Sequence, residues 1–95
     1  MRIRFFIEPE TGRPHVEEHG VTEREVEEAL TRPVEDRPGE EGSRIAIGRT
    51  KEGRILRVIY VPDPEPERVF VITAYPVTGK MLHALQRRIK RRRGL

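Results

Sequence analysis

Three runs of β-branched and aromatic residues between residues 44 and 75 constrain the fold of this chain more than any other feature. A turn at Gly53 separates the first two runs, and a loop over residues 62–67 with three prolines separates the last two. This pattern predicts three consecutive antiparallel strands. The second and third runs have no polar face, so we expect both to be central strands, covered on each side by helices or by a partner chain.

Alternation along these runs predicts which side chains share a face of the sheet, because successive residues of a strand point in opposite directions. In the second run the two sets are Ile55, Ile59 and Val61 against Leu56, Val58 and Tyr60. In the third run they are Val69, Val71, Thr73 and Tyr75 against Phe70, Ile72 and Ala74.

The flanking segments predict one more strand and three helical pieces. Residues 2–7 form a strand, and residues 14–19 form a short helical turn that Gly20 ends. Thr22 and Glu25 form a capping box at the start of a helix over residues 23–31. Residues 34–43 are expected to be a loop, and Thr78 caps a basic helix over residues 78–93. The chain is thus predicted to be a single α+β domain over residues 1–95.

Composition limits the classes of protein to which the chain can belong. Its 95 residues suffice for one core, and none is cysteine, which excludes disulfides and thiolate chemistry. We find neither a signal peptide nor an apolar run long enough for a membrane span, so we expect a cytoplasmic protein without membrane contact. Asparagine is absent and charged residues make up 37% of the chain, a composition typical of thermophile proteins that a GC-rich genome would also produce.

Charge is distributed unevenly along the chain. Residues 1–42 carry a net charge of −6, residues 43–79 carry +2, and residues 80–95 carry +7 without a single acid. An all-basic end of this kind predicts binding of nucleic acid or of an acidic protein. A solvated tail and an anionic membrane surface are the alternatives, and the thin apolar stripe of the helix disfavours the membrane.

Residues 15–19 match the H-x-x-E-H pattern of inverted zinc peptidases. His15 and His19 would share one helical face. However, Pro14 and Gly20 leave room for barely one helical turn, and no second helix offers an obvious glutamate ligand. We therefore expect no metal and no other cofactor.

The segment Thr78-Gly79-Lys80 resembles part of a phosphate-binding loop but lacks the leading glycine of that motif. Backbone N–H groups at a helix start, together with Lys80, would still suit one phosphate oxygen. A plain helix cap is the structural alternative.

On the predicted sheet, Arg57 interrupts the face of Ile55 and Ile59, where a charge is costly unless it is paired or lies at an open site. A salt bridge to a glutamate of the acidic helices is the alternative there.

Three stretches carry a resemblance to a known family: residues 19–30 (His-Gly-Val-Thr-x-x-Glu-Val-Glu-Glu-Ala-Leu), the hairpin over residues 46–60, and Val-Ile-Thr-Ala-Tyr-Pro at residues 71–76. Over about residues 15–93 the chain resembles the BrnT-like toxin group. It is most similar to a sister family of small bacterial domains that end in Gly-Lys and an Arg-rich helix. The resemblance implies a RelE-like fold with two helices followed by an antiparallel sheet. It also implies a ribonuclease toxin that a neighbouring antitoxin neutralises.

A ribonuclease of this kind needs no metal. It needs a base for the 2′-OH proton, cations for the charge on the phosphorane, and an acid for the leaving oxygen. We assign the proton transfers to Tyr75 or His83 and phosphate binding at the reaction centre to Arg57. The toxins carry Ala-Arg-Arg where this chain has Ala74-Tyr75-Pro76. We therefore expect the remaining contacts to RNA to come from residues at the start and along the basic helix: Thr78, Gly79, Lys80, Arg87, Arg88 and Arg91.

Two other functions fit the same sequence. One is a non-catalytic domain that binds RNA or an acidic protein through the basic helix, for which Tyr75 would matter little. The other is a small structural protein whose apolar sheet faces form a homodimer.

Overall fold

A computed structural model describes residues 1–65 and 67–93; Pro66, in the loop predicted over residues 62–67, lies outside the described residues. One five-stranded sheet forms the centre of the molecule. In chain order the strands are β1 (Arg2–Phe5), β2 (Pro33–Pro38), β3 (Arg44–Arg49), β4 (Ile55–Pro62) and β5 (Arg68–Pro76). A 3₁₀ helix (His15–His19) and helix α1 (Glu23–Thr31) follow β1, and helix α2 (Gly79–Arg93) follows β5.

The strands lie in the order β1-β5-β4-β3-β2. The prediction that β4 and β5 are central is therefore confirmed, and so is the antiparallel meander of β3, β4 and β5. The sheet as a whole is mixed, because β1 pairs with β5 in parallel, with Arg2 opposite Arg68 and Phe5 opposite Val71. The antiparallel sheet implied by the resemblance was wrong in this respect. A parallel pair needs a long crossover, and all of the chain from the 3₁₀ helix to β4 provides it.

One face of the sheet is covered by α1 and the 3₁₀ helix, and most of the core lies there. Val26, Ala29 and Leu30 of α1 pack on Leu56, Val58 and Tyr60 of β4 and on neighbouring residues, in one cluster of buried side chains. The alternation predicted for β4, with Leu56, Val58 and Tyr60 on one face, is thus confirmed. Gly48 lets α1 come very close, because a Cβ at this position would lie only 1.9 Å from the carbonyl oxygen of Ala29.

The opposite face is covered by α2, and its core is smaller. Leu85 is the one buried residue of α2 among those that the structure describes, and it packs with Ile47 and Val77. Ile55, Met81, Leu82 and Ile89 surround these three residues and are partly exposed. Among the described residues, no helix is long and apolar enough to cross a membrane.

Local signals set the start of α1 and the end of the 3₁₀ helix as predicted. The Thr22 hydroxyl accepts a hydrogen bond from the backbone N–H of Glu25 at 3.1 Å, and the Glu25 carboxylate accepts one from the backbone N–H of Thr22 at 3.0 Å. This is the predicted capping box. Gly20 ends the 3₁₀ helix in the left-handed conformation, with φ at 70°.

Strand β2 corrects the loop predicted over residues 34–43. Its sequence, Pro-Val-Glu-Asp-Arg-Pro, has little β propensity, and prolines at both ends suit a short edge strand. Side chains from the neighbouring strands fix it in place. The Asp36 carboxylate accepts a hydrogen bond from the Tyr60 hydroxyl at 2.6 Å and another from Arg44 Nε at 2.8 Å. These contacts join residues 8 and 24 positions apart, which local sequence patterns do not reveal.

A β-bulge in the β4–β5 pair corrects the alternation predicted for the third run. The register shifts by one residue between Ile59 and Tyr60, so that Ile59 lies opposite Thr73 whereas Tyr60 lies opposite Val71. Ile72 is the extra residue. As a result Val71 and Ala74 share the α1 face, while Thr73 lies on the α2 face together with Ile59. A bulge re-aims the side chains on one side of it in this way.

Candidate functional site

Helix α2 carries most of the predicted site residues, and its packing divides its basic side chains into two groups. Its apolar side rests on the sheet through Leu85. Arg88 and Arg92 reach down to β2, where Glu35 accepts hydrogen bonds from Arg88 Nε at 2.7 Å, from Arg88 Nη2 at 3.0 Å and from Arg92 Nη2 at 3.1 Å. The other basic residues of the helix are exposed.

Glu35 is mostly buried, with only 9% of its side chain exposed. The hydrogen bonds from Arg88 hold the pKa of its carboxyl group below the ordinary value, against the opposing effect of burial. The same pairing raises the pKa of Arg88. Arg88 was predicted to bind RNA, but its guanidinium is already paired with the Glu35 carboxylate. In this structure its contacts are those of an anchor that holds α2 against β2.

Four residues of the exposed group form one stripe along α2. Lys80, His83, Arg87 and Arg91 follow one another at intervals of three, four and four residues, which places them on the same side of a helix. Gly79, Lys80, His83 and Arg87 line a cavity of about 420 Å³. The first turn of α2 has no acidic residue. In the part of the chain that the structure describes, no ion pair involves a residue of this stripe.

The structure therefore brings together three residues that the sequence proposed for RNA, Gly79, Lys80 and Arg87, with one proposed for proton transfer, His83. Thr78 is exposed just before the helix and does not line the cavity. Arg91 continues the stripe one helical turn beyond Arg87. Within this basic stripe, defined as Lys80, His83, Arg87 and Arg91, an anion would meet three permanent positive charges and an imidazole.

Arg57 and Tyr75 form a second group on the sheet, apart from the basic stripe. The bulge in β5 sets them directly opposite each other on neighbouring strands. With regular alternation Tyr75 would share a face with Val71 in the α1 core. Instead it lies on the same face as Arg57, and both residues are partly exposed. Neither of them lines the cavity beside α2.

Arg57 has no carboxylate partner in the part of the chain that the structure describes. Its Nε atom is buried and donates to no hydrogen-bond acceptor there, and the hydroxyl of Thr73 on the same face is also buried without a partner. The salt bridge considered for Arg57 is made instead by Arg54, whose Nη1 lies 2.7 Å from Glu25 Oε2 of α1. A buried guanidinium N–H without an acceptor is costly, and a bound ligand that accepts this hydrogen bond would remove the cost.

Aromatic rings connect Tyr75 to the segment after β1. The ring of His19 lies edge-on to that of Tyr75, with centroids 6.0 Å apart, and the rings of His15 and His19 are 5.1 Å apart. His15 Nδ1 lies 2.8 Å from a carboxylate oxygen of Glu8 and 3.3 Å from one of Glu18. Sequence spacing does not reveal Glu8 as a neighbour of His15, because the two residues are seven positions apart and joined by a turn.

A larger cavity of about 970 Å³ lies beside α1. Four basic residues line it, but so do Glu27 and Glu28, and Glu28 already accepts a hydrogen bond from the backbone N–H of Lys51 at 3.1 Å. Carboxylates in the wall disfavour an anionic ligand. This cavity is therefore a poorer candidate than the basic stripe for phosphate.

Comparison with known proteins gives one match. The family model described as a domain of unknown function, DUF4258, matches residues 13–76, and the chain belongs to this family. No curated protein and no solved structure matches the chain. The matched segment contains the 3₁₀ helix, α1 and strands β2 to β5, including Arg57 and Tyr75, and it ends before α2.

Proposed function

We propose that this chain of the DUF4258 family binds RNA through the phosphate backbone, with the basic stripe of α2 as the contact surface. The observation that carries the proposal is the division of basic residues on α2. Arg88 and Arg92 share the single carboxylate of Glu35 as their ion-pair partner. By contrast, Lys80, Arg87 and Arg91 form an exposed stripe that has no carboxylate partner among the described residues. Binding to a phosphate backbone depends on such unpaired charges.

The length of the stripe favours a phosphate chain over a single small anion. The stripe continues from Lys80 to Arg91, which is about three turns of helix, so it can contact several successive phosphates. RNA is proposed rather than DNA because the sequence resembles ribonuclease toxins. An acidic protein that uses the same charges is the main competitor, and the experiment below distinguishes it.

The test measures the affinity for single-stranded RNA at a series of salt concentrations. For a single strand, the slope of log K against log salt becomes shallower by about 0.7 for each phosphate that the protein no longer neutralises. Replacement of Lys80 and Arg87 by alanine should therefore weaken binding and reduce the slope by about 1.4. The matched control is Arg13→Ala with Arg24→Ala, which removes two exposed arginines outside α2 and should leave the slope unchanged.

Equal losses of affinity in both double variants would show that net charge alone drives binding, and would contradict the proposed surface. Absence of RNA binding at low salt, with retained binding of a poly-glutamate peptide, would instead favour the protein partner. A DNA strand of the same sequence that binds equally well would broaden the ligand to nucleic acid in general.

Cleavage of RNA is the second candidate function, and Arg57, which has no carboxylate partner in the described part of the chain, favours it. In this mechanism the guanidinium of Arg57 stabilises the charge on the phosphorane. Tyr75 on the neighbouring strand either accepts the proton of the 2′-OH or donates one to the leaving oxygen. His83 is the alternative proton donor or acceptor, since it lies beside Lys80 and Arg87 on the basic stripe. Each candidate centre thus combines one group that can transfer a proton, Tyr75 or His83, with at least one cationic side chain.

Total RNA incubated with the protein in EDTA separates these centres. Tyr75→Phe removes only the hydroxyl and keeps the ring beside His19, and Arg57→Lys keeps the charge but loses the planar guanidinium. If the sheet pair catalyses cleavage, both variants should lose it and still bind RNA. If His83→Ala alone abolishes cleavage, the centre lies on α2. Intact RNA with the wild-type protein would leave binding as the function.

The proposed toxin role adds a partner. A ribonuclease toxin is lethal unless its antitoxin is made, so the role predicts that expression of this chain stops growth and that a neighbouring small gene restores it. Growth unaffected by expression of a protein that cleaves RNA in vitro would separate the enzyme from the toxin.

A further inference from the structure

A cluster of three metal-ligating side chains lies between the end of β1 and the 3₁₀ helix, away from the basic stripe. Its members are Glu8, His15 and Glu18, and one potential ligand atom from each lies within 4.8 Å of the other two. The proposed RNA-binding function uses none of them.

The spacing of these atoms suits a common metal ion. Two ligand atoms that bind one ion at about 2.0–2.1 Å, with an angle of about 90–110° between the bonds, lie about 2.8–3.4 Å apart. His15 Nδ1 is 2.8 Å from Glu8 Oε1 and 3.3 Å from Glu18 Oε2. An ion could therefore take both carboxylates and the ring nitrogen with small side-chain movements.

The charge of the cluster also favours a cation. Glu25, Glu35 and Asp36 each pair with an arginine. In the described part of the chain, by contrast, the only ion-pair partner of Glu8 or Glu18 is the single imidazole of His15. Two carboxylates that converge on one imidazole nitrogen leave negative charge uncompensated, and a divalent ion would neutralise it.

Backbone contacts fix the scaffold of the cluster. An isolated bridge joins Ile7 to Pro14, and the backbone N–H of Glu8 donates to the carbonyl of Arg13 at 2.9 Å. The backbone N–H of His15 donates to the carbonyl of Phe6 at 2.9 Å. Glu8, opposite Arg13, and His15, opposite Phe6, are thus diagonal neighbours in a short backbone ladder, and the 3₁₀ helix adds Glu18 three residues later. The sites of two ligands are held before any ion binds.

We propose that Glu8, His15 and Glu18 form a binding site for one divalent first-row transition ion, with Zn²⁺ as the representative. A nitrogen ligand beside two carboxylates suits Zn²⁺ better than Mg²⁺ or Ca²⁺, which prefer oxygen ligands alone. Three protein ligands leave a fourth position open for water or for a small ligand. This set differs from the H-x-x-E-H pattern of the sequence, because Glu8 of the turn takes the place of His19.

The experiment titrates untagged, metal-free protein with Zn²⁺ in a calorimeter and compares thermal melts with and without the ion. Wild-type protein should bind one Zn²⁺ per chain and melt at a higher temperature with it, since an ion that binds only the folded state stabilises it. Mg²⁺ should neither bind measurably nor raise the melting temperature. Long-range ¹H–¹⁵N spectra should show that Zn²⁺ shifts Nδ1 of His15 and leaves His83 unchanged.

Glu8→Gln keeps the shape of the side chain and removes its charge. It should weaken Zn²⁺ binding by more than the roughly tenfold to hundredfold that loss of an outer-shell partner alone costs. Glu18→Gln and His15→Ala should do the same, and the matched control His83→Ala, which removes an exposed imidazole of α2, should bind as the wild type does. Melts of the metal-free variants show that each is folded, and the two glutamine variants decide the test if His15→Ala is not.

Two results would overturn the proposal. One is the absence of a stoichiometric Zn²⁺ heat with the wild-type protein. The other is an equal loss of affinity in His83→Ala and Glu8→Gln, which would mean that scattered surface groups bind the ion.

Discussion

The two faces of the sheet differ in how much core they bury and in the charge they carry. On the α1 face, 11 buried residues form one cluster, whereas on the α2 face only Ile47, Val77 and Leu85 are buried among the described residues. Helix α1 is predominantly acidic, and α2 has no acid at all. The α1 face thus buries most of the core, whereas the α2 face carries the basic helix. A helix with many like charges, which repel one another, is attached where little of the core depends on it.

Each helix is nevertheless anchored by one carboxylate–guanidinium pair of the same kind. Glu25 of α1 pairs with Arg54, and Glu35 of β2 pairs with Arg88 of α2, both at 2.7 Å. The difference lies in what surrounds the pair. On the α1 side the buried cluster holds the helix in any case. On the α2 side the pair supplements a single buried leucine, so we expect it to contribute a larger share of the attachment of the helix.

We expect the largest loss of stability when a fully buried leucine is replaced, and one such leucine lies on each face of the sheet. Leu56→Ala, in the α1 cluster, should lower the free energy of unfolding by about 3–5 kcal/mol, because it leaves a cavity among many packed neighbours. Leu85→Ala should lower it by about 2–3 kcal/mol, since α2 can settle partly into the space. Hydrogen exchange should show faster exchange throughout the chain for the first variant and mainly in residues 79–93 for the second. The same pattern of exchange in both would contradict the division between the faces.

The next largest loss of stability is expected where α1 lies very close to Gly48 of β3. Gly48→Ala should destabilise the fold by about 3 kcal/mol, because its Cβ would collide with the backbone of Ala29 and push α1 off β3. Gly53→Ala is the control, since its Cβ meets no atom within 4 Å. Only its left-handed conformation opposes the substitution, and we expect a loss of about 1 kcal/mol. Thermal and urea unfolding measure both. A Gly48→Ala variant as stable as Gly53→Ala would mean that α1 does not press on the sheet there.

The smallest effect concerns the two anchoring pairs and depends on pH. Glu35→Gln should lower the free energy of unfolding at neutral pH by about 1–2 kcal/mol, because Arg88 and Arg92 lose a charged acceptor. The pKa of Glu35 is lowered in the folded state, mainly by the hydrogen bonds from Arg88. Its stabilising contribution is therefore complete above the ordinary value of 4.5 and disappears as the pH falls through the lower folded-state value. The stability difference between variant and wild type should shrink over that acidic range.

Glu25→Gln is the matched variant on the α1 face. Burial raises the pKa of Glu25, but the hydrogen bonds from the Thr22 backbone and from Arg54 outweigh it, and the pKa is lowered overall. The acid dependence should thus have the same sign as for Glu35. At neutral pH, Glu25→Gln should leave the exchange protection of α1 largely intact, whereas Glu35→Gln should increase exchange in α2. Equal local effects would show that the two helices depend on their anchors to the same degree.

The features that depend on contacts between near neighbours in the chain could be predicted from the order of the amino acids. Thr22 and Glu25 set the start of α1, Gly20 ends the 3₁₀ helix, and the alternation around Val58 assigned β4 to the centre of the sheet. In each case the signal and the structure lie within a few residues of each other. The exposed basic residues of α2 were also predictable, because a charge run without acids has few local partners.

Other features depend on contacts between segments that are far apart in the chain, and these became visible only in the folded structure. Strand β2 exists because Tyr60 and Arg44 hold Asp36, β1 runs parallel to β5, and a one-residue bulge turned Tyr75 toward Arg57. Contacts between distant segments also paired Arg88 with Glu35, whereas Arg57 has no carboxylate partner among residues 1–65 and 67–93. The physical reason is common to all of them. Pairing of charges and register of strands depend on which distant residues meet in space, and that choice is made by the packing of the whole sheet.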